Sequence, residues 1–113
     1  MMLLLALAAA AQSNISDVIS DDTRAKQRAY EQCVSATAKR YARSRDNANI
    51  VATAAITECR PKKEAYFASL NDDSIDSAGK PFGFKFLSIL EKRLDEKVRN
   101  EALLVITKVR AGK

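Results

Sequence analysis

A chain of 113 residues has room for one core, and that core must rely on small side chains, because tryptophan is absent and tyrosine and phenylalanine number three and four. A formal net charge of +5 permits attraction to any polyanion, whether nucleic acid, anionic lipid or an acidic partner. Histidine is absent altogether, which removes the commonest general base and metal ligand and turns the reading away from catalysis.

The first segment, Met1 to Ser13, reads as a secretory leader. An apolar run, Leu3 to Ala10, is followed by Ala9-Ala10-Ala11 as a small-residue cleavage pattern before Gln12. The match lacks one feature, since no lysine or arginine precedes the run. The expectation is a leader over 1–11 and a single helical domain over 12–113, secreted or periplasmic. The leader run is too short to span a bilayer, and no other stretch approaches twenty apolar residues. Asn14-Ile15-Ser16 fits the glycosylation acceptor pattern, but a three-residue match is common by chance.

Ser20, Asp21 and Asp22 form a helix start, with a hydroxyl to cap and carboxylates where the helix dipole favours them. No glycine or proline follows before about Arg45. One face of this helix carries Ala29, Cys33, Ala36 and Arg40; beside it run Tyr30, Val34, Thr37 and Tyr41. Ser44-Arg45-Asp46-Asn47 is turn-like, and a second helix runs from Ala48 to about Leu70 with Ala52, Ala55, Ile56 and Cys59 inward.

Each cysteine lies thirteen residues from Asp46. If the chain folds back there as two antiparallel helices, both sulfurs stand about 20 Å from the bend. A disulfide, Cys33–Cys59, therefore staples a helical hairpin over 21–70. The register that follows sets Tyr41 opposite Val51, Thr37 opposite Ala55, Ala36 opposite Ile56 and Lys26 opposite Tyr66. Small flanking residues allow the close approach a disulfide needs. Two cysteines at pairing distance also favour an oxidising compartment. Pro61 predicts a kink or a helix restart just after Cys59.

Residues 71–81 read as a linker, with Asp72, Asp73, Asp76, Gly79 and Pro81. Calcium does not fit it: counted from Asp72, Ser77 stands where the loop needs glycine and Gly83 where it needs a bidentate glutamate. Phe82, Phe84 and Phe86 are expected to lead into the next helix and fill the end of the core. A long amphipathic helix over 85–110 carries Leu87, Leu90, Leu94, Val98, Ala102, Val105 and Val109 on one stripe. Asp95 and Arg99 stand at the spacing of a stabilising pair. The adjacent apolar positions Leu103 to Ile106 need cover from the hairpin or from a second subunit.

No serine sits in a glycine-lined elbow, and the paired carboxylates Asp72–Asp73 and Asp95–Glu96 lie in solvated stretches. Two cysteines without histidine cannot complete a zinc site, and their spacing is not that of a redox pair. The fold expected is all-α: a disulfide-stapled antiparallel hairpin plus a long third amphipathic helix. The function expected is that of a small exported, non-catalytic protein working through protein–protein or self-association surfaces, with Leu87, Leu90, Leu94, Val98 and Val105 as the self-association candidates. The alternative is a binder of anionic surfaces, lipid headgroups or acidic polymers, through Arg24, Arg28, Lys39, Arg40, Arg43, Lys62 and Lys63. Joined across the hairpin, Arg28, Lys62 and Lys63 would flank Tyr30. A histidine-free enzyme ranks last. No catalytic residue, cofactor or metal ligand is expected, and nucleic acid is not expected as a partner, for want of stacking platforms or a recognition helix.

Overall fold

The computed structural model describes residues 19–112, and within them the chain forms helices α1 (Asp21–Tyr41), α2 (Ala48–Glu58), α3 (Arg60–Ala78) and α4 (Phe84–Gly112). No strand occurs among the described residues. The leader segment and the Asn14-Ile15-Ser16 tripeptide lie outside them.

Helix α1 begins as its sequence predicts. The Ser20 hydroxyl accepts the Thr23 amide at 3.2 Å, Asp21 and Asp22 occupy the first turn, and Lys39 and Arg40 the last. It ends at Tyr41, four residues short of Arg45, and Ala42 to Asn47 make the bend. Asn47 caps α2 by accepting the Asn49 amide at 2.8 Å. The second arm then breaks where proline requires it. Cys59 leaves helical geometry (φ −90°, ψ 8°), and Pro61 stands in the first turn of α3, where its missing N–H costs nothing. Cys59 is thus the C-cap of one helix, the N-cap of the next, and the partner of Cys33 in a disulfide with α-carbons 5.9 Å apart.

The register of the staple carries down the hairpin. Thr23 and Ser69 join their hydroxyls inside the core, one turn along from the expected Lys26–Tyr66 pair and in step with it. The inner face of α1 follows the second of the two expected rows as far as Thr37, but Tyr41, expected at its end opposite Val51, is 39% exposed. Tyr30, Val34, Thr37 and Ala38 are buried, whereas Ala36 and Arg40 face solvent.

The linker expected over 71–81 is a correction. Helix α3 runs on to Ala78, and the connection is only Gly79 to Gly83. Asn71, Asp72, Asp73 and Ser74 are weak helix formers, but tertiary contacts hold them. Asp73 accepts the Ser20 amide at 2.9 Å and the Ser20 hydroxyl at 3.1 Å, and the Ser74 hydroxyl donates to the Lys80 carbonyl at 2.8 Å. The true stop is Gly79, whose φ of 77° suits glycine and whose amide closes on the Ile75 carbonyl at 2.8 Å.

Helix α4, about 43 Å long, runs parallel to α1. Tyr30 meets Asp95, Glu31 meets Lys97 and Ala42 meets Arg110, at offsets of 65, 66 and 68 residues. Its buried residues are Leu94, Val98, Ala102 and Ile106. Alanines at 38, 42, 52, 55 and 102 have no exposed surface, and helices can approach closely over such positions. Arg110 reaches back to the bend, donating to the carbonyls of Ala42 (2.8 Å), Ser44 (3.2 Å) and Asp46 (2.7 Å). One guanidinium therefore serves the carbonyl of the residue that caps α1 and two more in the bend that follows.

Two stability predictions follow from this frame. Replacing both cysteines with serine should lower the unfolding free energy by about 3–4 kcal/mol on the chain-entropy account, measured by denaturant melts of the oxidised and serine forms. Arg110→Met should cost about 1–3 kcal/mol, with Arg110→Lys intermediate because a lysine cannot span three carbonyls, and thermal melts of the three proteins would rank them.

Candidate functional site

The break at Cys59 decides where the molecule is open. Helix α2 packs on both α1 and α4, with Val51, Ala52 and Ala55 buried; after Pro61 the chain turns away from α4, and α3 follows α1. No α-carbon of α3 comes within 8 Å of one of α4. Between them lies an open groove of about 660 Å³. Phe67 walls it on the α3 side, set edge-on against Tyr66 with ring centres 5.0 Å apart. Helix α4 supplies Phe84, Leu87, Ser88, Lys92 and Glu96.

Lys63 of α3 reaches two carboxylates, Glu91 and Asp95, that line the α4 side of the groove. Its ammonium sits 3.1 Å from both oxygens of Asp95 and 3.5 Å from Glu91, with only 17% of the side chain exposed. This is the one polar tie across the gap between α3 and α4 among the described residues that brings their charged side chains together. The Tyr30 hydroxyl points at the same carboxylate at 3.5 Å. Burial first, then the charges of Asp95 and Glu91, raise the Tyr30 pKa far above the phenol range, so it stays protonated as a donor. Tyr66 is raised as well, by burial and then by Glu31. Lys63, Asp95, Glu91 and the Tyr30 hydroxyl are joined to one another, so this cluster braces α3 against α4.

The expected site residues separate. Of the self-association stripe, Leu94 and Val98 are 7% and 1% exposed and belong to the core of the single chain, so they are not an outward seam. Leu87, Leu90 and Val105 are half-buried; the first two pack against the same core. Asp95 and Arg99 do not pair as expected. Lys63 takes the carboxylate, and Arg99 donates to the Thr53 hydroxyl at 3.1 Å.

The basic face does not join into one patch. Arg40 is bound to Glu58 at 2.9 Å and lies over the Tyr41 ring; Arg24 stands 3.9 Å from Asp21. Lys63 is turned into the groove, and Tyr30, fully buried, cannot interleave with cations at the surface. Arg28, Lys39, Arg43 and Lys62 remain exposed. Lys62 and Arg40 flank a shallow depression beside the disulfide, with Glu58 between them.

The aromatic triplet is also corrected. Phe82 is half-buried against the core and stacks on Phe86 at 4.8 Å, but Phe84 is 87% exposed and Phe86 46%. Neither fills the core. The residues that sequence reasoning missed are Lys63 as a groove tie, Arg110 as the cap of the bend and Asp73 as the clamp on α1. Each acts over 32 residues or more, so no local pattern marks it.

With this geometry in hand, comparison with protein-family models, curated proteins and solved structures gives no match to the chain. Among the described residues, no helix is long and apolar enough to cross a membrane, and no three Cys, Asp or Glu side chains gather to hold a metal.

Asp73 yields a pH prediction. Burial acts to raise its pKa, but the Thr23 hydroxyl, the Ser20 amide and hydroxyl, and nearby Lys26 outweigh it and hold the carboxyl below the ordinary aspartate value. Its folded pKa lies below its unfolded one, so its contribution is complete above the unfolded value of about 3.9 and is lost as pH falls through the folded value. In acid titrations of stability, Asp73→Asn should be weaker than the parent at neutral pH and should lose less than the parent below about pH 4.

Proposed function

We propose that the chain is a small exported, non-catalytic docking protein, and that the groove between α3 and α4 receives the apolar face of a helix from a protein partner or from a second copy. One observation carries this reading. The two helices stand apart along the groove with Phe67, Phe84 and Leu87 along it, which is how helix-in-groove recognition is built. Export is supported by the apolar run Leu3 to Ala10 with its small-residue cleavage pattern and by the Cys33–Cys59 disulfide, which belongs to oxidising compartments. Binding of anionic surfaces through the hairpin is the second reading. It retains Arg28, Lys39, Arg43 and Lys62, which are exposed, and loses Lys63 to its carboxylates.

Ser88 offers a clean test, being exposed in the groove and small. A photo-crosslinker at Lys92 should give one discrete adduct in native envelopes, and one at Asn49, outside the groove, should give none. Ser88→Trp, which fills the groove, should abolish the Lys92 adduct. An adduct of twice the chain's mass, with a matching sedimentation shift, assigns the groove to a second copy. Equal labelling from both positions, or labelling that survives Ser88→Trp, would sink the reading.

A further inference from the structure

The register leaves one end of the bundle without α1. Ser20 lies beside Asp73 of α3, yet α3 continues five residues further, to Ala78. With the offset of 66 residues between Glu31 and Lys97, Phe86 stands level with Ser20, so the first turn of α4 also overhangs. The two overhangs are joined by the Gly79 to Gly83 loop. Exposed apolar side chains gather here: Phe84 at 87% and Ile75 and Phe86 at 46% each in the overhang, with Ile89, also 46%, one turn further along α4 level with Thr23.

From Gly79 to Leu90 the only ionisable side chains are Lys80 and Lys85, both exposed, set among Phe82, Phe84 and Phe86. The first turn of α4 holds no acid, so its positive helix end adds to the lysines. Carboxylates stand at the same end on the other helices: Asp21 and Asp22 in the first turn of α1, and Asp72, Asp73 and Asp76 on α3, so the cations are confined to the loop and the start of α4. Aromatic rings with lysines between them suit the boundary between headgroups and acyl chains, where the ring sinks and the ammonium stays in water.

Chain length adds a second argument. The described chain enters at this same end, at Ile19, and Ala10 precedes it by nine residues. Those nine residues reach at most about 30 Å. While the apolar run Leu3 to Ala10 is attached and meets a bilayer, the overhanging end is held beside that bilayer.

We propose that this end is a bilayer contact: Phe84, Phe86 and Ile89 enter the interface, and Lys80 and Lys85 meet anionic headgroups. It goes beyond the groove reading and shares only Phe84 with it, so loss of one leaves the other standing.

Because the chain has no tryptophan, a single one reports its own surroundings. The full chain carrying Phe84→Trp, a substitution at an almost fully exposed position, is mixed with vesicles of phosphatidylglycerol and phosphatidylcholine in equal parts. Its emission should shift to the blue, while Asn49→Trp, at the opposite end, should stay water-like. Lys80→Gln with Lys85→Gln should weaken the association about 30-fold, and Phe86→Ser with Ile89→Ser should remove the shift. Co-sedimentation with an unshifted Phe84→Trp would mean that the Leu3 to Ala10 run alone binds lipid, and would overturn the proposal. A blue shift without vesicles that grows with protein concentration would assign the end to a second copy and overturn it equally.

Discussion

The architecture depends on one residue performing three tasks. Cys59 ends α2, begins α3 and is bonded to Cys33 on α1. A break in a helix is ordinarily a soft place, because the turn on either side has lost a hydrogen-bonded neighbour. Here the break itself is fastened to the central helix. The Thr37 hydroxyl, 3.6 Å from the Cys59 sulfur, sits against it within the core. Two segments that could otherwise pivot about Pro61 are thus held to fixed headings: α2 towards α4, and α3 along the first half of α1.

Around that point the core is built by approach rather than by bulk. Tyr30, Leu70, Ile106 and Val34 are the largest fully buried side chains, and burial of each contributes about 1.5–3 kcal/mol. Alanine fills much of the remainder, which draws helices together but leaves little apolar area to offset chain entropy. Long-range polar contacts make up part of the difference. Arg110 closes the bend, Lys63 joins α3 to α4, Lys97 reaches Glu31 at 3.1 Å, and Asp73 holds the start of α1. Several cations are therefore engaged within the fold, and the formal charge of +5 does not gather into one binding face.

The staple and its register were legible because a disulfide between helices has a narrow geometry, and equal spacing from Asp46 satisfies it. The start of α1 and the restart at Pro61 were legible for the same reason: capping and proline chemistry are local. The linker was misread because Asn71 to Ser74 have the composition of a loop, and only Ser20 and Lys80, brought in from elsewhere, make helix the better choice there. The stripe on α4 marked a face correctly but not its occupant. Periodicity shows that Leu94 and Val98 are covered, and cannot say whether the cover comes from the same chain. The groove was not legible at all. It arises from the divergence of α3 and α4, a relation between headings that no single segment encodes.

That divergence also explains which surfaces stayed open. Helix α1 is the common neighbour of α2, α3 and α4, and apolar positions facing it are buried. Part of the exposed apolar surface lies where α1 cannot reach, in the gap between α3 and α4 and beyond Ser20 where both overhang, while Tyr41, Ile50 and Leu104 are exposed elsewhere. Phe84 belongs to both places, and α1 does not reach its height. An aromatic ring left 87% exposed at the point where two such openings meet loses apolar burial that a slightly longer α1 would have supplied. The same ring lines the groove with Phe67, and Lys85 follows it in the first turn of α4. The most exposed aromatic ring among the described residues therefore lies where the central helix ends, away from the exposed cations of the hairpin.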